Sequence, residues 1–157
     1  MSTIKLKVSN EVMTQNLGNQ LGLIIDSPGV IFLNGDLGAG KTLFTKSLLS
    51  GLGYKGLVKS PTYSIVEQYE LNEKEMQLYH MDLYRLSDPE ELEFFGIRDY
   101  FSDDSLCVIE WPENGSGVLP QADLDIKIII IGKEREFLFR AYTDLGEKWC
   151  SYLTHGV

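Results

Sequence analysis

Gly35-Asp-Leu-Gly-Ala-Gly40-Lys41-Thr42 follows the apolar run Val30-Ile-Phe-Leu33 and opens a stretch, Lys41 to about Leu52, that reads as a helix ended by Gly53. The octapeptide satisfies G-x-x-x-x-G-K-[ST] at every position, with the strand before it and the helix after it that the pattern requires. Glycines let backbone N–H groups turn inward around phosphate oxygens without a Cβ clash. The helix N-terminus adds its positive dipole end at the same point. A lysine on a long stem reaches the β- and γ-phosphates, and a threonine hydroxyl ligates Mg²⁺. Asp36, Leu37, Gly38, Ala39, Gly40, Lys41 and Thr42 are therefore expected to cradle the phosphates of a magnesium-bound nucleotide.

Upstream, Ile4, Leu6 and Val8 alternate with polar residues as in a short strand. Ser9 or Asn10 can cap a helix carrying Val12, Leu17, Leu21 and Ile24 on one side, and Pro28-Gly29 breaks it. Downstream, Tyr63–Leu71 and Met76–Tyr84 read as two strands around Asn72–Glu75, the spacing of a hairpin. Asp88-Pro-Glu-Glu91 is a helix start with a cap, a first-turn proline and a capping-box glutamate, and Gly96 ends that helix. Leu106–Ile109 reads as a buried strand finishing at Glu110. Asp123–Ile131 and Glu136–Tyr142 read as paired strands around Gly132–Arg135, with a C-terminal helix beyond. These elements predict a three-layer α/β P-loop NTPase fold, a mixed β-sheet flanked by helices, with residues 1–157 as a single domain. The antiparallel members come from the middle hairpin and the C-terminal pair.

A phosphate loop needs a carboxylate near its Mg²⁺, usually at the end of a neighbouring strand. Glu110 ends a run with the character of a central strand buried on both faces, whereas Asp82 ends the more polar Leu78-Tyr-His-Met81. Glu110 is therefore assigned to the magnesium site with Thr42, and Asp82 to orienting water or supporting the site from behind. Lys59-Ser-Pro-Thr62-Tyr63 lies where many P-loop proteins keep a segment responsive to the γ-phosphate, so Thr62 joins Lys41, Asp82 and Glu110 as a catalytic candidate. Trp111 should sit at the carboxyl edge of the sheet, against the nucleotide pocket, at a partner surface or in the core. For Arg85 a salt bridge to a nearby acid is favoured over a role on phosphate. His80 reads as an ordinary strand histidine or a polar relay beside Asp82, and His155 in the tail carries no function.

The bulk composition excludes several classes. With 43% hydrophobic and 11% aromatic residues the chain is neither disordered nor built for a bilayer, and its longest aliphatic stretch, Ile128–Ile131, cannot span one. Met1-Ser-Thr-Ile-Lys-Leu-Lys lacks the apolar core of a signal peptide, which predicts a cytoplasmic protein, and Cys107 and Cys150 read as reduced thiols. A net charge of −9 and only four arginines (Arg85, Arg98, Arg135 and Arg140) leave no basic stripe for phosphate contacts. Strong direct binding of nucleic acid is not expected; service to a nucleic-acid pathway would run through a protein partner.

The ordered series Gly-Asp-Leu-Gly-Ala-Gly-Lys-Thr (35–42), Lys-Ser-Pro-Thr-Tyr (59–63), His-Met-Asp-Leu-Tyr-Arg (80–85), Asp-Pro-Glu-Glu-Leu-Glu (88–93), Gly-Ile-Arg-Asp-Tyr-Phe (96–101) and Ile-Glu-Trp-Pro (109–112) resembles the bacterial TsaE (YjeE) family across nearly the whole chain. The resemblance implies an ATPase, weak alone, that supports formation of N6-threonylcarbamoyladenosine in tRNA with the partners TsaB and TsaD. It places the family's P-loop lysine and threonine on Lys41 and Thr42, its magnesium glutamate on Glu110, and its Asp and Trp motif residues on Asp82 and Trp111. It also implies an adenine end near Glu11–Thr14 and the turn Gly132–Glu134, which brings in Glu11 and Glu134.

Other readings share the loop. A small-molecule kinase uses the same glycine spacing but closes an arginine-bearing lid over ATP, for which four scattered arginines are poorly suited. A guanine-specific switch would carry Asn-Lys-x-Asp, which is absent from the sequence. A nucleotide-gated binding module without useful hydrolysis is the third.

Overall fold

A computed structural model describes residues 2–156, with side chains through residue 153. His155 lies outside the described side chains. The elements run β1 (Thr3–Val8), α1 (Glu11–Ile24), β2 (Gly29–Gly35), α2 (Lys41–Gly51), β3 (Val66–Leu71), β4 (Met76–Asp82), the single turn α3 (Glu91–Phe94), β5 (Ser105–Glu110), β6 (Leu124–Ile131), β7 (Glu134–Ala141) and α4 (Asp144–Gly156). One seven-stranded mixed sheet has the order β1-β7-β6-β2-β5-β4-β3. The four inner strands β6, β2, β5 and β4 are parallel, while β3 and β7 join antiparallel as the two hairpins predicted from sequence, and β1 closes the edge against β7.

β2 occupies the middle, with β5 on one side and β6 on the other. The connection from its carboxyl end runs through α2 to β3 on the β5 side, whereas that from neighbouring β6 runs to β7 on the other, the reversal at which open α/β sheets bind ligands. The glycine-rich loop emerges there. On one sheet face α1, α2 and α4 cover Ile31, Leu33, Val108, Ile126 and Phe137. On the other, the segment after β4 folds over β4, β5 and β2, burying Leu83, Leu92 and Ile97 against Met81, Cys107 and Ile109. All six residues of β5 are thus buried, as its apolar run predicts.

α1 and α2 cross at close range because glycines line the contact. A Cβ added to Gly22 would run into the Leu48 carbonyl, and one on Gly51 into the Asn19 carbonyl. Asn10 supplies the cap of α1, its Oδ1 accepting the Met13 amide at 2.9 Å. The buried stripe of α1 is Thr14, Leu17, Gly18, Leu21 and Gly22, and Val12 is exposed. Five residues at 3.6 per turn set Val12 about 140° away from Leu17, off the predicted stripe.

Several boundaries differ from the sequence reading. Tyr63 is not in a strand: 62–64 form a turn, β3 begins at Val66, and Tyr63 is exposed. β4 stops at Asp82 instead of Tyr84, its last ladder bond running from the Leu83 amide to the Glu110 carbonyl at 3.1 Å. β7 starts at Glu134, since Gly132 at φ 60° allows a two-residue turn. Asp88 Oδ1 accepts the Glu90 amide at 2.9 Å but does not cap the helix: α3 begins at Glu91, with Glu90 at its N-cap and no side-chain cap bond, and lasts one turn before Gly96 adopts φ 66°. Both cysteines are buried thiols, and burial pushes them up to about 12 for Cys107 and about 11 for Cys150.

Candidate nucleotide site

The loop leaves β2 with Gly38 at φ 85° and Gly40 at φ 110°, conformations that a side chain would strain. A Cβ built on either would meet nothing within 4 Å, so backbone conformation and not space calls for glycine there. Ala39 is buried against Gly35, and Leu37 is exposed. α2 then begins, with the Phe44 amide bonded to the Gly40 carbonyl at 2.9 Å.

Lys41, in the first turn of α2, is only 7% exposed. Its Nζ lies 3.7 Å from Glu110 Oε1 and 4.4 Å from the centroid of the Trp111 ring. Glu110 is buried at the end of β5, and its other oxygen, Oε2, lies 2.6 Å from His80 Nε2. His80 Nδ1 has no hydrogen-bond partner, which suits a proton on Nε2 donated to the carboxylate. His80 therefore serves Glu110, not Asp82 as a relay would require. Period-2 alternation explains why: Leu78, His80 and Asp82 share the sheet face that carries Val108 and Glu110, the face under α2.

Asp82 sits directly opposite Glu110 in the β4–β5 ladder. Its Oδ1 accepts the Tyr84 amide at 3.0 Å. Burial raises its pKa above the ordinary carboxylate value; the Tyr84 hydrogen bond works against that shift and the Glu110 charge adds to it.

A cavity of about 520 Å³ runs along these groups and is also lined by Thr42, Lys46, Ser60 and Thr62. The fold thus gathers Lys41, Thr42, Thr62, Asp82 and Glu110 from four separate parts of the sequence. Thr62 and Ser60 share a hydrogen bond between their hydroxyls at 2.7 Å. Trp111 forms a wall, its ring 5.0 Å from that of Tyr84, and its own backbone is left-handed at φ 55°. Arg85 also lines the cavity but makes no salt bridge among the described residues; its guanidinium stacks over the Tyr63 ring at 4.4 Å.

Other expected positions lie apart. Asp36 faces a second cavity, about 700 Å³, on the other side of Trp111. Glu11 begins α1 and Glu134 begins β7; both are exposed, and neither lines the cavity that holds Lys41. Next to Glu134, however, Arg135 reaches the loop: its Nε donates to the Ala39 carbonyl at 3.1 Å and its Nη2 to the Gly38 carbonyl at 3.3 Å. No local pattern marks Arg135 for this role. Lys46 could have been found from its place one helical turn beyond Thr42. Among the described residues no cluster of three His, Cys, Asp or Glu side chains forms a metal cage, so an ion here would draw most of its ligands from elsewhere.

The sequence profile described as "Threonylcarbamoyl adenosine biosynthesis protein TsaE" matches residues 8–137. The chain belongs to the TsaE family. The matched stretch runs from the end of β1 into β7 and takes in every residue that lines the Lys41 cavity. A Haemophilus influenzae protein described as tRNA threonylcarbamoyladenosine biosynthesis protein TsaE is 54% identical over 118 residues, 75% of this chain and 73% of that one. A Bacillus subtilis protein of the same description is 37% identical over 155 residues, covering 98% and 96%. The crystal structure of Bacillus subtilis YdiB superposes with a TM-score of 0.82 at 32% identity, over 99% of this chain and 96% of that one. The mixed sheet with its flanking helices is thus a TsaE-family architecture with the loop–helix arrangement of a P-loop fold.

Proposed function

We propose that this TsaE-family chain binds Mg-ATP in the Lys41 cavity and hydrolyses it in support of N6-threonylcarbamoyladenosine formation in tRNA, acting with TsaB and TsaD. The family's part in threonylcarbamoyladenosine biosynthesis sets the pathway. The observation that carries the chemical step is one cavity lined by the loop glycines Gly38 and Gly40 together with a buried lysine and two opposed carboxylates.

The donor set fits a nucleotide-borne Mg²⁺. One protein hydroxyl and one carboxylate, Thr42 and Glu110, would hold the ion, the remaining ligands being phosphate oxygens and water. When bound, Mg²⁺ offsets the negative charge that builds on the β- and γ-phosphates. Lys41 already balances a carboxylate at 3.7 Å and is free to exchange it for phosphate oxygens. His80 keeps Glu110 oriented through that exchange. Asp82, whose raised pKa makes it a better proton acceptor, orients the attacking water. Thr62 offers its hydroxyl from the opposite rim. The net charge of −9 agrees with work through protein partners in place of a direct grip on tRNA.

The test is ADP release by the purified chain, with and without TsaB and TsaD, with Lys41→Ala as control. Stimulation by the pair that disappears in the variant is the expected result. Nucleotide turnover only on addition of a small acceptor, with a phosphorylated product, would replace this reading by a kinase. Unchanged ATP affinity and rate in Lys41→Ala would remove the nucleotide from this cavity altogether.

A further inference from the structure

Three non-glycine residues among those described have a left-handed backbone: Ile65 at φ 70°, Glu75 at φ 54° and Trp111 at φ 55°. Glu75 closes the β3–β4 hairpin, an ordinary use of that conformation. The other two flank the paired carboxylates. Trp111 follows Glu110 in sequence, and the carbonyl of Ile65 accepts the amide of Asp82 at 2.9 Å. A β-branched residue at positive φ is a genuine outlier and persists only where its surroundings over-determine it.

The surroundings of Ile65 do so from both sides. Its amide bonds back to the Pro61 carbonyl at 2.8 Å, which folds 61–65 into one tight turn. Its side chain packs on the apolar cluster of Met81, Leu83 and Ile109, beneath the segment that follows β4. The turn it closes carries Thr62, which lines the nucleotide cavity with Ser60. One residue therefore joins the two rims of the cavity, the Ser60–Thr62 segment and the end of β4.

We infer that Ile65 is a positioning residue: its side chain, seated in that cluster, holds a left-handed backbone that fixes Thr62 at the cavity and Asp82 at the end of β4 in a single arrangement. Without the anchor the backbone relaxes to an extended conformation, the turn opens, and the Asp82 amide loses its partner. The nucleotide should still bind, because the loop around Lys41 is built independently on β2 and α2. The kinetic part of this inference rests on the ATPase proposed above; the structural part does not.

Ile65→Ala separates the two contributions, since alanine keeps the backbone cost but loses the anchor, and Ile65→Val retains both. Hydrogen–deuterium exchange is read on peptides covering 59–65 and 82, with β5 and α2 as internal controls, alongside kcat and KM for ATP. The expected result for Ile65→Ala is exchange at least tenfold faster at 59–65 and at Asp82, unchanged protection in β5 and α2, and a kcat at least fivefold lower with KM within twofold. Ile65→Val should stay within twofold of the parent in every measure. Retained protection at 59–65 in Ile65→Ala would overturn the inference, and so would exchange accelerated equally in β5 and α2, which marks a general loss of stability. Should the parent chain prove inert toward ATP even with partners, the proposed function falls while the exchange result alone still decides this point.

Discussion

Asp82 and Glu110 are directly paired across the parallel β4–β5 ladder, yet their environments differ: Glu110 is buried between Lys41 and His80, while Asp82 is half-buried and held by the Tyr84 amide. Two carboxylates side by side at the carboxyl edge of a sheet repel unless other charges intervene. Here Lys41 and His80 contact Glu110, while burial first and the Glu110 charge after it raise the pKa of Asp82. The pair is therefore divided into one acid held by two partners and one whose pKa is raised.

That division predicts different metal responses. Glu110→Ala should raise the Mg²⁺ concentration for half-maximal ATP turnover roughly tenfold or more, as loss of a ligand-sphere carboxylate does. Asp82→Ala should lower kcat with little change in the Mg²⁺ requirement. A Mg²⁺ titration of both variants decides, and the reverse order would show that the two roles are exchanged.

Asp82 also predicts a pH effect on stability. A carboxyl whose folded pKa lies above its unfolded value stabilises the native state while protonated, and that contribution is lost as pH rises through the folded pKa. Asp82→Asn removes the charge but keeps an oxygen for the Tyr84 amide. Its urea midpoint should therefore exceed the parent's at pH 7.5, and the difference should shrink as pH falls toward the ordinary carboxylate range. A constant difference across that range would mean the charge is not its source.

The α1–α2 crossing offers a prediction away from the chemistry. Gly22→Ala pushes a Cβ against the Leu48 carbonyl, backbone that cannot swing aside. Overpacking of this kind costs about 1–3 kcal/mol. Thermal unfolding should show a lower Tm, while kcat per folded molecule stays near the parent's. An unchanged Tm would mean the helices part without cost.

Most of the frame could be read in advance, because its signals are local. The run Val30–Leu33, the octapeptide after it, and the hairpins at 72–75 and 132–135 are all spelled out within a few residues. Glu110 was separable from Asp82 for the same reason, since a strand buried on both faces has a recognisable composition. What escaped depends on which strands become neighbours. His80 meets Glu110 only because β4 lies in register beside β5. Arg85 turns to Tyr63 in place of an acid because that residue, read as the start of a strand, lies in the 62–64 turn, which delivers its ring. The left-handed backbone of Ile65 contradicts the local preference of isoleucine, and no sequence rule would have placed it there.

The bond from Arg135 to the carbonyls of Gly38 and Ala39 spans nearly a hundred residues. β2 likewise finds both its neighbours, β5 and β6, far down the chain. During synthesis, the octapeptide leaves the ribosome long before the strands and the arginine that seat it. Full nucleotide affinity should accordingly arrive late, once β7 has emerged, and a nascent chain cut short of Arg135 would carry the full motif without the bonds that tie Gly38 and Ala39 to that arginine.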